Sequence, residues 1–219
     1  MLLIKKGSVP GKLIEAKTEG CIRYDNLPPG VKQVMRTSLY KEQHGLCAYC
    51  MAKVTETKES PIEHIIPRST THTGDVLSLD WKNMVLSCDG GRTNNAKPVS
   101  CDAYKGDKPL LNLSPLHDAC IKRISYSHSG KILSEDDQYK HDLEDVLNLN
   151  NEMLVYTRKQ ILNRLNLEKN KKPRDRQARI RHLSRQLENL QRPDGEGNLE
   201  AFVGVSIWYV KNKYEKLRR

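Results

Sequence analysis

The chain has 219 residues and a formal net charge of +10, and 37% of its residues are hydrophobic. That length suits one domain, or one domain with an attached helical part, and no run of about 18 apolar residues is present to cross a membrane. The opening apolar run, Met1–Ile4, is too short for a secretory signal, so we expect a cytoplasmic protein, in which disulfides are rare. The six cysteines therefore favour metal ligation over cross-linking.

The positive charge is unevenly distributed along the chain. Residues 152–192 contain twelve Lys and Arg against four Asp and Glu, whereas the cysteine-bearing stretch 43–120 contains eight against nine. A basic flank beside a nearly neutral centre indicates a phosphate-binding surface next to a metal site, although a solvated helix face has the same composition. Charge alone leaves both interpretations open.

The first part of the chain is predicted to contain a helix, a strand and a loop. Apolar residues at helical spacing predict a helix over residues 31–43, which Gly45 can end. A β-branched run over residues 60–66 predicts a strand that stops at Pro67. The polar stretch 68–78 is typical of a loop.

The central part is predicted to contain a short helix, an excursion and a hairpin. Asp80 is a candidate N-cap for a short helix over residues 81–86. Residues 89–100 are rich in Gly, Asn and Pro, which is typical of irregular structure. Residues 121–133 predict a hairpin that turns at His128-Ser129-Gly130.

The pattern becomes helical after residue 150. Asn151 is a candidate N-cap for the first of these helices, and residues 169–173 are expected to break it. The apolar stripe of this helix is Leu154, Ile161 and Leu165, with Arg158 on the same face. The stripe of a second helix is Ile180, Leu183, Leu187 and Leu190, and its other face carries Arg174, Arg176, Arg179, Arg181 and Arg185. A last helix is marked by Phe202, Val205, Trp208 and Tyr209.

Four cysteines form two separated pairs, and the spacing of the first pair is typical of a zinc site. Cys47 and Cys50 enclose two residues across a tight turn, and Cys88 and Cys101 follow with twelve residues between them. Four thiolates are a common ligand set for a tetrahedral structural zinc ion. The wider second spacing leaves open that Cys88 and Cys101 are ordinary buried residues. Competing ligands are Cys21, His44, His117 and Cys120.

Acidic, histidine and asparagine residues lie between and after the cysteine pairs in an informative order. Glu63-His64-Ile-Ile-Pro67 is followed by Asn83-Met-Val-Leu and then by Cys101-Asp102-Ala-Tyr-Lys105-Gly106. Residues 44–108 therefore resemble the HNH (ββα-metal) nuclease superfamily. The resemblance implies an α+β fold, in which a zinc-knuckle ββα-metal core carries a flanking N-terminal helix and a C-terminal helical extension.

The resemblance also implies a catalytic role for each matched residue. His64 is the expected general base, since imidazole titrates near neutral pH, and Asn83 is expected to hold the His64 ring or its strand. Glu63 and Asp102 are expected to bind one Mg²⁺ or Mn²⁺ ion, because paired carboxylates form a hard oxygen site. Candidate phosphate contacts, or alternatively surface charges, are Arg68 and Lys105.

A narrower resemblance extends over more of the chain. The opening Ile4–Pro10, the long gap between the last two cysteines, the hairpin at Arg123–Tyr126 and residues 146–158 are similar to the HNH subunit (PtuB) of Septu-type anti-phage systems, also found with retrons. This similarity implies an ABC/SMC-like ATPase partner (PtuA) and, in some systems, retron components. The sequence has no Gly-x4-Gly-Lys-Ser/Thr phosphate loop of its own, so nucleotide control would come from another chain.

We therefore divide the chain into four parts with an expected function for each. They are an N-terminal segment and helix (1–43), a zinc-bound nuclease core (44–120), a hairpin and connector (121–150), and a basic helical region for nucleic-acid or partner docking (151–219). The expected activity is metal-dependent cleavage of nucleic acid, with DNA favoured over RNA, within a two-component anti-phage complex. Alternatives are a stand-alone restriction- or homing-type HNH nuclease, an RNA-directed nuclease effector, and a non-catalytic zinc protein that binds nucleic acid.

Overall fold

The computed structural model describes residues 1–70, 77–92, 99–167 and 175–219, and over these ranges the fold is mixed and rich in helices. The helices are α1 (Gly11–Thr18), α2 (Pro29–Glu42), α3 (Asp102–Lys105), α4 (Asp118–Lys122), α5 (Asp137–His141), α6 (Glu152–Leu167), α7 (Arg176–Leu190) and α8 (Val203–Arg218). The strands are β1 (Ile62–His64), β2 (Met84–Leu86), β3 (Ser125–Tyr126) and β4 (Ile132–Leu133). No helix within these ranges combines the length and apolar content needed to span a bilayer.

Helix α2 confirms the first predicted helix and positions the chain that follows. Pro29 stands at its first turn, where a missing N–H costs nothing, and its buried face includes Val31, Met35 and Leu39. Directly after the helix, the Gln43 side chain donates to the Leu86 carbonyl (2.8 Å) and accepts from the Leu86 N–H (2.6 Å). The end of α2 therefore holds β2 in place.

The first sheet pairs β1 with β2 in antiparallel register, with Glu63 opposite Val85 and His64 opposite Met84. The predicted strand is confirmed, but the prediction of a helix over residues 81–86 is wrong. Asp80 does cap a turn, because its carboxylate accepts from the Lys82 N–H (3.0 Å), but that turn ends at residue 83. The next three residues are buried and pair with β1, and an apolar run this short has no periodicity to distinguish strand from helix.

The second sheet is the predicted hairpin, but it begins later than the sequence suggested. Strands β3 and β4 pair antiparallel around Gly130, whose φ of 91° suits a residue without a side chain. Ile121, predicted to open the first strand, lies in α4 instead. Ile121 and Ile124 are three residues apart, a spacing that places both on one face of a helix but on opposite faces of a strand.

The C-terminal helices confirm the predicted apolar stripes, but Arg176, predicted on the basic face of α7, donates to the Leu217 carbonyl of α8. Asn151 caps α6, since its side-chain oxygen accepts from the Leu154 N–H (3.1 Å). Leu183 is buried in α7, which packs against α8, and α6 also packs against α8. The described ranges leave out residues 71–76 of the predicted loop, 93–98 of the predicted excursion, and the predicted break at 169–173 with Arg174.

The segment before α8 is bonded to the chain around the first cysteine pair. The Leu199 N–H donates to the His44 carbonyl (3.0 Å), and the Lys53 ammonium donates to the Leu199 carbonyl (2.6 Å). The Phe202 N–H donates to the Met51 carbonyl (2.8 Å). Residues about 150 positions apart in sequence therefore meet at this turn.

Candidate active site and metal centre

The four cysteines predicted to ligate metal lie together, with their sulfur atoms all within 4.8 Å of one another. Cys47 Sγ is 3.9 Å from Cys101 Sγ, and Cys50 Sγ is 3.7 Å from Cys88 Sγ. A tetrahedral ion with Zn–S bonds of about 2.3 Å requires sulfur–sulfur distances of roughly 3.8 Å. The cluster can therefore hold a zinc ion. The competing ligands, which lie outside this cluster, are Cys21, His44, His117 and Cys120.

Main-chain hydrogen bonds shape the turn between the first two cysteines. The Cys47 N–H donates to the Ala52 carbonyl (2.8 Å), and the Met51 N–H donates to the Cys47 carbonyl (3.1 Å). The Ala48 N–H donates to the Leu86 carbonyl (3.1 Å), which seats the turn on β2. The cysteine pair is thus attached to the same sheet that carries the predicted catalytic residues.

The fourth cysteine stands directly before α3. The Cys101 N–H donates to the Leu147 carbonyl (2.9 Å), and Cys101 has a φ of 57°, which is uncommon for a residue with a side chain. The Cys101 carbonyl accepts from the Lys105 N–H (2.8 Å). The position of Cys101 therefore sets the positions of Asp102 and Lys105.

Glu63 is the buried acidic residue of the site. Its Oε1 accepts a hydrogen bond from the Tyr49 hydroxyl (3.3 Å) and lies 2.8 Å from the Lys105 Nζ. Burial raises the pKa of Glu63 to about 8; a hydrogen bond with Asp102 adds to this rise, and the Lys105 charge opposes it. The carboxyl groups of Glu63 and Asp102 therefore interact with each other.

His64 is buried at the end of β1, and its ring has a defined tautomer. Its Nε2 lies 3.1 Å from the Ser78 carbonyl oxygen, which can only accept, so Nε2 carries the proton and Nδ1 keeps its lone pair. The Tyr24 ring packs against the imidazole edge-on, with centroids 5.0 Å apart. Burial lowers the pKa of His64 to about 4, although the Ser78 hydrogen bond opposes this effect, so the ring is neutral at pH 7.

Asn83 fixes the chain that follows His64. Its Oδ1 accepts from the Ile66 N–H (2.8 Å), and its Nδ2 donates to the Ile66 carbonyl (3.0 Å) and the Leu77 carbonyl (3.4 Å). Asn83 itself is buried, and these bonds are partly buried. The contacts favour a role in holding the end of the strand rather than the His64 ring.

Replacing Asn83 with alanine is expected to lower both stability and cleavage. Asn83→Ala removes three part-buried hydrogen bonds to the main chain of Ile66 and Leu77, which costs about 2 kcal/mol in the free energy of unfolding. Displacement of the adjacent His64 is expected to reduce the nicking rate by about 10- to 100-fold. Urea unfolding and a plasmid assay measure the two effects, with Lys82→Ala at the exposed neighbouring position as control. Unchanged nicking by Asn83→Ala would contradict this role.

The two candidate phosphate contacts have different surroundings. Arg68 is exposed, with its Nη1 2.5 Å from Asp25 Oδ1 and its guanidinium over the Tyr24 ring. Lys105 is only 1% exposed, and its ammonium points at Glu63 rather than at the surface. Of the two, Arg68 is the one whose guanidinium is exposed to an incoming phosphate.

Tyr49 and Ser78 belong to the site but are absent from the predicted set. Tyr49 lies inside the Cys-x2-Cys turn and is fully buried, and burial with the nearby Glu63 charge raises its pKa well above the usual range. The position of Tyr49 between two predicted metal ligands was the one feature of the sequence that pointed to a place in the site. Ser78 contributes a main-chain carbonyl, for which no side-chain pattern exists.

The site combines a neutral imidazole with a pair of carboxyl groups. Two carboxylates this close repel each other when both are ionised, and a divalent cation relieves that repulsion. Oxygen ligands are those that Mg²⁺ and Mn²⁺ prefer, so the donor set of Glu63 and Asp102 fits either ion.

Comparison with models of protein families matches residues 47–89 to the family described as HNH endonuclease. The matched stretch ends before Cys101 and Asp102 and includes Cys47, Cys50, Glu63, His64, Asn83 and Cys88. A search of curated proteins gives no match. The chain therefore carries an HNH endonuclease domain over residues 47–89, and this domain supports its placement in the HNH superfamily.

Proposed function

We propose that this protein is a metal-dependent HNH endonuclease that hydrolyses phosphodiester bonds of nucleic acid, with DNA as the preferred substrate. The observation that carries the proposal is the arrangement on β1, where a neutral His64 follows a carboxyl group that interacts with Asp102. Glu63 and His64 lie in the stretch that matches the HNH endonuclease family, and Asp102 lies beyond its end. A basic net charge of +10 suits a polyanionic substrate.

His64 is the proposed general base of the reaction. Its Nδ1 keeps a lone pair because Nε2 donates to the Ser78 carbonyl, so Nδ1 is the atom that accepts a proton from the attacking water. The lowered pKa keeps the imidazole neutral throughout the physiological range. Asn83 holds the following backbone and thereby keeps the ring oriented.

Glu63 and Asp102 are the proposed ligands of a catalytic Mg²⁺ or Mn²⁺ ion. When bound, such an ion supplies Lewis acidity and neutralises charge at the leaving oxygen. Because the pKa of Glu63 is raised to about 8, loading the cation at neutral pH requires Glu63 to lose a proton. The exposed Arg68 is the proposed contact to the substrate phosphate.

Nicking of supercoiled plasmid DNA tests the proposed activity. Purified full-length protein is expected to convert supercoiled to open-circular DNA with Mg²⁺ or Mn²⁺, and not with EDTA. An RNA transcript of the same sequence, assayed in parallel, measures the preference for DNA. Failure to cleave DNA and RNA with both ions would contradict the proposed function.

We propose that α7 contacts the nucleic-acid backbone. Its exposed arginines include Arg179, Arg181 and Arg185, which have no carboxylate partner within the described residues, and Arg181 and Arg185 lie on the face opposite Leu183. Unpaired arginines bind phosphate groups well, and such contacts do not depend on the sequence of the nucleic acid. This assignment favours nucleic acid over a protein partner on this face of the basic helical region.

Removal of two of these arginines is expected to weaken the binding of nucleic acid and to reduce the dependence of that binding on salt concentration. For Arg181→Ala/Arg185→Ala, we expect about 10-fold weaker binding to a duplex oligonucleotide and a decrease of roughly 2 in the slope of log affinity against log salt. Fluorescence anisotropy at several salt concentrations measures both. The double variant Lys12→Ala/Lys17→Ala removes the same charge from exposed positions of α1. Equal losses in both double variants would contradict a specific role for α7.

We further propose that the nuclease acts in anti-phage defence with an ABC/SMC-like ATPase. The support is the resemblance to the HNH subunit of Septu-type systems, and the sequence has no phosphate loop of its own. Co-expression with the product of the neighbouring gene is expected to yield a stable complex. A neighbouring gene without ATPase motifs, or a product that does not co-purify, would contradict this pairing.

A further inference from the structure

Lys105 is a buried cation whose contacts are all oxygen atoms. Its Nζ lies 2.8 Å from Glu63 Oε1, 3.3 Å from the His64 carbonyl oxygen and 3.4 Å from the Gly106 carbonyl oxygen. Its side chain is 1% exposed, and that of Glu63 is 7% exposed. The ammonium is therefore held inside the protein and takes no part in the surface charge.

These contacts belong to the same donor class as those of a hard divalent cation. Carboxylate and carbonyl oxygens are the atoms that Mg²⁺ and Mn²⁺ select, and the Lys105 ammonium already uses one oxygen of Glu63. A single positive charge balances only one of the two carboxyl groups, whereas a divalent cation balances both. An ammonium and a divalent cation at the same oxygen repel each other strongly in a buried site.

We propose that Lys105 is an internal competitor of the catalytic cation, so that loading of Mg²⁺ or Mn²⁺ at Glu63 and Asp102 displaces the Lys105 ammonium from Glu63. This inference rests on the proposed cation site. It assigns Lys105 a regulatory role: the ammonium stabilises the acidic site when divalent cation is scarce and raises the concentration at which the nuclease becomes loaded. The four-carbon stem of lysine allows the ammonium to move without movement of α3.

Cation binding, measured apart from cleavage, tests the proposal. The zinc-loaded full chain is titrated with Mn²⁺, and the unbound ion is measured by electron paramagnetic resonance. Lys105→Met keeps the apolar stem and removes the charge, so its Kd for Mn²⁺ is expected to be at least about 10-fold lower than that of the wild type. Lys108→Met removes an exposed charge one turn away and is expected to bind Mn²⁺ as the wild type does. Equal or weaker binding by Lys105→Met would overturn the proposal.

A second measurement needs no substitution at Lys105. Acetylation of the wild-type chain with an amine-reactive ester, followed by peptide mass spectrometry, is expected to modify Lys105 only after saturation with Mn²⁺. Labelling of Lys105 that does not change on saturation would also overturn the proposal.

The Glu63→Gln variant separates this inference from the proposed function. If Mn²⁺ binding is lost in Glu63→Gln but is not strengthened in Lys105→Met, the proposed competition is overturned and the proposed cation site stands. Absence of Mn²⁺ binding in the wild type and in Lys105→Met removes the cation site itself, and with it the proposed chemistry.

Discussion

Replacement of His64 by alanine is expected to abolish plasmid nicking while the protein stays folded. The imidazole Nδ1 is the proposed proton acceptor of the site, and general bases contribute about 10²- to 10⁴-fold to a rate. Alanine cannot accept a proton, so the nicking rate of His64→Ala should fall by at least about 100-fold. Gel-based nicking with Mg²⁺ or Mn²⁺ measures the rate, and elemental analysis measures the zinc content.

Two further variants show whether the loss comes from chemistry rather than structure. His128→Ala removes an exposed histidine at the hairpin turn and is expected to nick at the wild-type rate. His64→Gln keeps most of the side-chain volume against Tyr24 without a basic nitrogen, so it should be as inactive as His64→Ala. Retained nicking by either His64 variant would contradict the assignment of the general base.

Substitution of one cluster cysteine is expected to have the largest effect on stability. Structural zinc contributes about 10–16 kcal/mol in zinc-finger peptides, and a serine hydroxyl is a poor substitute for a thiolate ligand. Cys101→Ser should therefore lose zinc and lower Tm by more than about 10 °C, or fail to fold. Because Asp102 and Lys105 follow Cys101 directly, nicking should be lost as well.

Cys120→Ser is the matched control for this loss. Cys120 is also buried, but its sulfur lies 3.3 Å from the Tyr139 hydroxyl and 3.4 Å from the Asn112 carbonyl oxygen, and a serine hydroxyl can make both contacts. The control is therefore expected to retain one zinc ion per chain and a nearly unchanged Tm. A Cys101→Ser protein with full zinc content would contradict the four-cysteine assignment.

The parts of the fold that could be predicted from sequence are those set by local periodicity or by ligand chemistry. The stripe around Leu183 predicted α7, because an amphipathic helix shows its buried face at regular spacing. The four cysteines could be grouped across 54 residues, because one tetrahedral metal ion accounts for two separated pairs of thiols. Neither inference needs knowledge of the tertiary structure.

The parts that could not be predicted depend on contacts between distant residues. Met84–Leu86 is a strand because β1 lies beside it, and nothing within those three residues distinguishes a strand from a helix. Lysine is usually a surface residue, and Lys105 is buried because its ammonium contacts Glu63 and two main-chain carbonyl oxygens on neighbouring segments. Asn83 bonds to the main chain just after β1, and this contact likewise depends on how the two segments pack against each other.

The bonds from Leu199 and Phe202 to the first cysteine turn have a consequence for how the chain folds. The stretch that matches the HNH family ends at residue 89, yet its turn at Met51 and Lys53 is completed by residues about 150 positions later. Contacts of such high sequence separation form late, because the loop between them must close first. In a nascent chain, the bonds that complete this turn can therefore form only after residues 199–202 have been synthesised.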